Sequence, residues 1–175
     1  MKKAIFLAVL LLAVPLAFGQ QGVVIKDAAS FWYASMDFQG PYEQVPVKIG
    51  IFIQEFMRQK LPFAGNLFGI YFNSPEQVKP EELKWAIGIP VQKDSVVNAP
   101  LEKSEFLFKK IAFCLHIGPY EKTGETYDKI FKQIEASGYE MAGPVFESYL
   151  DIDPSKVKPE ELRTEIWVPV QKKAK

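Results

Sequence analysis

The chain has 175 residues, with 21 basic and 21 acidic side chains, and 14% of its residues are aromatic. So even a balance lacks the clustered basic face that phosphate neutralisation requires, and no nucleic-acid partner is expected. A single cysteine, Cys114, excludes an internal disulfide, and with one histidine, His116, it cannot make a zinc constellation, so neither metal nor other cofactor is expected.

Taken in chain order, the first segment reads as a targeting signal. Lys2 and Lys3 precede an uncharged apolar run from Ala4 to Val14, Pro15 breaks it, and Ala17-Phe18-Gly19 supplies the small residues of a cleavage site. The apolar stretch from Ala4 to Phe18 is 15 residues, short of the roughly 20 that span a bilayer. Residues 1–19 are therefore expected to be a signal peptide. Its removal leaves an exported domain, 20–175, periplasmic or secreted, with no membrane span.

Phe31 to Gln39 reads as a strand, closed by the turn at Gly40-Pro41. A helix follows on the stripe Ile49, Phe52, Ile53 and Phe56, with Pro46 in its first turn. Two strands come next, Asn66 to Phe72 and Lys84 to Val91, and between them Pro80-Glu81-Glu82 makes one helical turn. Asp94 to Lys103 is a polar connector. The order then recurs: a strand from Phe106 to Ile117 that buries Cys114 as an inert thiol, and a helix on Tyr127, Ile130, Phe131 and Ile134. Thr123 is placed to cap that helix and Gly138 to end it in a left-handed conformation. Strands from Pro144 to Leu150 and Arg163 to Val170 complete the series, and Lys172, Lys173 and Lys175 form a solvated tail.

This recurrence is an internal repeat. Gly40-Pro41-Tyr42-Glu43 returns as Gly118-Pro119-Tyr120-Glu121 at an offset of 78, and Val78-Lys79-Pro80-Glu81-Glu82-Leu83 returns as Val157-Lys158-Pro159-Glu160-Glu161-Leu162 at 79. Two copies, about 31–93 and 106–172, are too few for a solenoid. The predicted fold class is α+β: two pseudo-two-fold-related strand-helix-strand-strand modules forming an antiparallel sheet with a central groove.

Differences between the copies mark the candidate site. Residues two apart on a strand share a face, so Glu165 pairs with Trp167 and Glu147 with Tyr149. The first copy has Ala86 and Gly88 opposite the former pair, Gly69 and Tyr71 opposite the latter. If these faces meet, Gly69, Ala86 and Gly88 leave volume for a ligand. A partly desolvated Glu165 among Trp167, Tyr149, Tyr71, Met36 and Phe38 then attracts an amphipathic cation or polarised aromatic. Glu147 is a further wall or rim carboxylate. His116 reads as a groove-facing or satisfied strand histidine, and its position two residues from Cys114 on one strand fits nucleophile activation poorly. Tyr42 and Tyr120, kept in both copies, are expected to close the strand-to-helix turns.

The motifs His116-x-Gly118-Pro119-Tyr120-Glu121, Glu147-x-Tyr149, Asp153-Pro154 and Thr164-Glu165-Ile166-x-Val168-Pro169-Val170 resemble the GyrI-like effector-binding domains, over nearly all of residues 20–175. That resemblance implies the drug-sensing fold of multidrug-responsive transcription regulators, and it implies that Glu165, on the Glu-Ile-x-x-Pro strand, is the acidic residue at the pocket base. Without a helix-turn-helix ahead of the repeat, transcription control by this chain alone is not expected. The expected function is binding or sequestration of a small molecule. The alternatives are hydrolysis of electrophilic toxins, which some GyrI-like proteins perform, with Glu165 as general base and Tyr149 or Trp167 positioning the substrate, and a haem or peptide binding module.

Overall fold

The computed structural model describes residues 22–151 and 153–174; the expected signal peptide, 1–19, lies outside the described residues. Its elements are β1 (Val24–Asp27), β2 (Phe31–Gln39), α1 (Val45–Arg58), β3 (Phe68–Tyr71), β4 (Lys84–Val91), β5 (Glu102–Phe106), β6 (Lys110–Ile117), α2 (Thr123–Ala136), β7 (Tyr139–Met141), β8 (Val145–Tyr149) and β9 (Arg163–Lys172). The strands form one open sheet in the order β1-β6-β9-β8-β3-β4-β2-β5, with β7 beside β9, and every pairing is antiparallel. The fold is therefore α+β, with modules β2-α1-β3-β4 and β6-α2-β8-β9 meeting along the β3–β8 ladder.

Each module turns from its first strand into its helix in the same way. Gly40 and Gly118 take φ of +127° and +137°, a region that side chains disfavour, which accounts for the glycine ahead of proline in both copies. Their N–H groups donate to Leu83 O at 2.9 Å and Leu162 O at 2.8 Å, tying each turn to the end of its own Pro-Glu-Glu turn. Those turns, Pro80–Glu82 and Pro159–Glu161, are single 3-10 turns.

Both helices pack on one face of the sheet. Phe52 and Phe56 of α1, each 0% exposed, bury against Trp85, Ile87 and Ile89 of β4, each burial contributing about 2 kcal/mol of transfer free energy. Ile130 and Ile134 of α2 bury against Ile166 and Val168 of β9. Since β8 and β3 lie between β9 and β4 in the sheet, a strip of this face runs uncovered between the helices. The opposite face carries its own aromatic cluster, including Phe68, Phe106, Phe146, Phe31, Tyr33 and Trp167.

The register at the module junction has a particular consequence. Gly69 pairs with Glu147, and these two residues are each other's equivalents under the repeat offset of 78. The pseudo-two-fold axis therefore passes through this pair.

Three local expectations need correction, and two short strands join those expected. The strand expected over 106–117 is divided: Phe106 ends β5 beside β2, and after Leu107 to Lys109 the chain resumes at Lys110 as β6, which pairs with β1 and β9 instead. The polar connector gives its last residues to β5. Strands β1 and β7, at 4 and 3 residues, are too short for alternation to reveal. Thr123 is the first residue of α2, and its hydroxyl donates to Tyr120 O at 2.8 Å instead of accepting from a helical N–H. Gly138, at φ +71°, ends the helix as its position implied.

Candidate functional site

Ladder register decides which candidate side chains meet. Directly paired residues in antiparallel strands share a face, so Ile87, Gly69, Glu147 and Ile166, paired in succession across β4, β3, β8 and β9, all point towards the helices. Tyr71 and Tyr149 follow by alternation. Met36 and Phe38, paired with Ile87 and Trp85, lie on the same face but pack into the core under α1. Glu165 pairs with Ser148 and Trp167 with Phe146, so both project from the opposite face.

The single cleft expected from the sequence is thus divided. Glu147, Tyr149, Tyr71 and Gly69 come together in the strip between the helices. Glu165 and Trp167 stand on the other side of the sheet with Phe31, Phe68 and Ser148, away from Tyr71, Tyr149, Met36 and Phe38. The volume attributed to the small residues of the first copy is filled. A Cβ on Gly69 would lie 2.8 Å from Tyr71 Cε2 and 2.9 Å from Tyr149 Oη, while one on Gly88 would lie 2.8 Å from the Phe68 ring. Ala86 is buried in the aromatic cluster of the opposite face.

Glu147 is the centre of the helix-side arrangement, with 8% of its surface exposed. Tyr127 Oη donates to its Oε1 at 2.5 Å, and Tyr149 Oη to its Oε2 at 3.3 Å. Tyr71 and Tyr149, repeat equivalents, share a hydroxyl–hydroxyl hydrogen bond of 2.7 Å across the pseudo-two-fold axis. Tyr42 meets Tyr71 edge-on at 5.1 Å and 79°, and Tyr120 meets Tyr149 at 5.6 Å and 81°. Four tyrosines obeying the two-fold thus surround a pair that breaks it. Any residue at the axis faces its own counterpart within one volume, so a carboxylate in one copy requires a minimal residue in the other.

Among the described residues, no lysine, arginine or histidine forms an ion pair with Glu147. Burial pushes its carboxyl above the usual range, against the lowering influence of the hydrogen bonds from Tyr127, Tyr149 and Tyr71. Desolvation and the nearby carboxyl likewise raise Tyr71, Tyr127 and Tyr149 well above an ordinary phenol and push Tyr42 up to about 12. The tyrosines are therefore neutral donors at any physiological pH, and Glu147 is the group whose charge can change.

His116 lies outside this cluster. Buried at 2% exposure, it bonds through Nδ1 to Thr126 Oγ1 at 2.8 Å and through Nε2 to Pro119 O at 3.2 Å, which ties the strand end to the start of α2. Tyr42 has a structural bond too, its hydroxyl donating to Asn73 O at 2.8 Å. Tyr127 is the residue that sequence reasoning used only as part of a helical stripe. Its signal was available: the equivalent in the first copy is Ile49, so Tyr127 adds the one hydroxyl to a stripe that is otherwise apolar. Among the described residues no group of three or more histidine, cysteine, aspartate and glutamate side chains could hold a metal, and no helix is long and apolar enough to cross a membrane.

An antiparallel sheet with two helices on one face, and between them a buried carboxylate ringed by tyrosines, defines a small-molecule binding domain of the α+β class. A family model described as the GyrI-like small molecule binding domain matches residues 22–171, and the chain belongs to that family. No curated protein matches it in sequence.

Solved structures agree on the fold. The C-terminal domain of EcmrR is 21% identical with a TM-score of 0.75, the alignment covering 88% of this chain and 99% of that one. Against EcmrR in its complex with DNA the values are 22% and 0.74, and the alignment spans 88% of this chain but 58% of the EcmrR chain. A hydrolase from Listeria innocua is 15% identical with a TM-score of 0.62, covering 86% and 92% of the two chains. SAV2435, solved with bound tetraphenylphosphonium, is 17% identical with a TM-score of 0.51, covering 86% and 94%.

Proposed function

We propose that the chain is an exported protein that binds or sequesters an amphipathic organic cation, with Glu147 as the anionic anchor and Tyr71, Tyr149, Tyr127, Tyr42 and Tyr120 as the aromatic wall. The observation that carries this reading is a buried carboxylate held by phenol hydroxyls with no cation from the described residues beside it. Desolvating such a charge is costly unless something pairs with it, and a lipophilic cation supplies both the charge and ring faces for the tyrosines. Each of these tyrosines keeps part of its surface exposed. Family membership supports a small-molecule ligand, and the pattern over residues 1–19 supports export.

Tetraphenylphosphonium, the compound bound by SAV2435, is the appropriate first probe. Equilibrium dialysis should show saturable binding of one equivalent with a Kd in the micromolar range, about 1–100 μM. No saturable binding of this or any other lipophilic cation would overturn the reading. Mass spectrometry of the recovered compound separates binding from the hydrolase alternative, since a sequestering protein returns it unchanged. For export, the protein recovered from outside the cytoplasm should have an intact mass that starts at Gln20. A mass retaining Met1 would contradict cleavage at Gly19.

A further inference from the structure

Glu165 and Trp167 are left out of the helix-side cluster, yet they are not ordinary surface residues. Both are partly buried, and Trp167 Nε1–H donates to Glu165 Oε2 at 3.2 Å, which fixes the indole beside the carboxylate. Phe31 stands at 80° to the Trp167 ring and 82° to the Phe68 ring, with centroids 6.1 Å away in each case, and Tyr33 meets Phe68 at 77°. Phe31, Phe68 and Trp167 form the aromatic side of an open recess of about 180 Å³, and Ser148, beside Glu165, lies on its polar side. Among the described residues no cationic side chain forms an ion pair with Glu165.

We infer that this recess is a second binding site, separate from Glu147 and on the opposite face of the sheet, and that it takes a small quaternary or methylated ammonium group. Perpendicular aromatic walls with one carboxylate are the arrangement that recognises such a cation, through ring faces and charge together. Size selects against the ligand class of the other face. The cavity lies below the roughly 300–1,000 Å³ of sites for drug-sized compounds, so a trimethylammonium group with a short tail fits and a polyaromatic cation does not. The two-fold does not double the site. At the equivalent place the first copy has Ala86 and Gly88, with neither carboxylate nor indole, and Gly88 there lets Phe68 lie against the backbone.

The test is a titration of the Trp167 indole N–H signal by NMR, assigned by its loss in Trp167→Phe, with choline and with its neutral isostere 3,3-dimethylbutan-1-ol. Choline is expected to shift the signal saturably with a Kd of about 1 mM, and the neutral isostere to bind at least about tenfold more weakly. Glu165→Gln should weaken choline about tenfold, whereas Glu147→Gln should leave it unchanged. Absence of a saturable shift by about 50 mM choline, an equal response to the neutral isostere, or an equal loss in Glu147→Gln would each overturn the proposal. Cosedimentation with phosphatidylcholine vesicles that free choline abolishes would identify a lipid head group as the source. Its absence, with choline still binding, would identify the free ammonium compound. Both results support the cation site, and both are independent of tetraphenylphosphonium binding on the other face.

Discussion

Glu147→Gln is expected to abolish the proposed cation binding while making the domain more stable. Removing one partner of a desolvated charge pair costs about 2 kcal/mol or more, so the Kd for tetraphenylphosphonium should rise about 30-fold or further. Stability should move the other way. Burial raises the Glu147 carboxyl above its ordinary 4.5, so the folded chain holds this proton more tightly than the unfolded chain does. The stabilisation is complete below pH 4.5 and is lost as pH rises through the folded value. At about pH 8, where the unfolded chain has released this proton, the wild type has lost that stabilisation while glutamine, which does not titrate, is unaffected, and the variant should melt about 2–4 °C higher, as ~1 kcal/mol does in a chain of this size. Near pH 4 wild-type Glu147 is already neutral and the difference should vanish. Calorimetry at the two pH values checks the sign. Equal melting temperatures at both would show that the carboxylate is not strained by burial, and the basis for the cation anchor would go with it.

Gly69→Ala tests the same site from its empty side. The added methyl would lie 2.8–2.9 Å from Tyr71 Cε2, Tyr71 Oη and Tyr149 Oη. Those atoms are ends of side chains, but they are not free to swing. Tyr71 and Tyr149 are bonded to each other at 2.7 Å, and Tyr42 and Tyr120 stand edge-on behind them. Accommodation requires breaking the hydroxyl pair, and overpacking of this kind costs about 1–3 kcal/mol. A loss of roughly 2–10 °C in melting temperature is expected, together with weaker ligand binding because the tyrosine wall is displaced. An unchanged melting temperature would show that the pair is a loose contact and not a fixed wall. Gly88→Ala presses on Phe68 instead, on the opposite face, and serves as the control that lowers stability without touching Glu147.

The helices and long strands were legible because their signals are local. Apolar stripes at helical spacing, the Gly-Pro turns and the repeat itself fix the order of elements without knowledge of any partner strand. The site was less legible because it depends on register. Alternation correctly joined Glu147 to Tyr149 and Glu165 to Trp167, but it cannot say which pair faces which way. That is set by Glu147 pairing with Ile166 and Ser148 with Glu165, and a shift of one residue would have reversed both assignments. Comparison of the copies pointed to Gly69 against Glu147 as a difference. What the difference meant became visible only when the ladder placed the two residues opposite each other.

The position of that pair also bears on how such a site can arise. In a symmetric dimer of one module, whatever residue occupies the axis occurs twice, so the centre holds two carboxylates or none. Two at this separation would repel and share a proton, and none would leave no anchor. A count of one is open to the molecule because its halves are joined in a single chain and could change independently, so covalent fusion of the repeat is what permits a monovalent centre at a place where symmetry would forbid it.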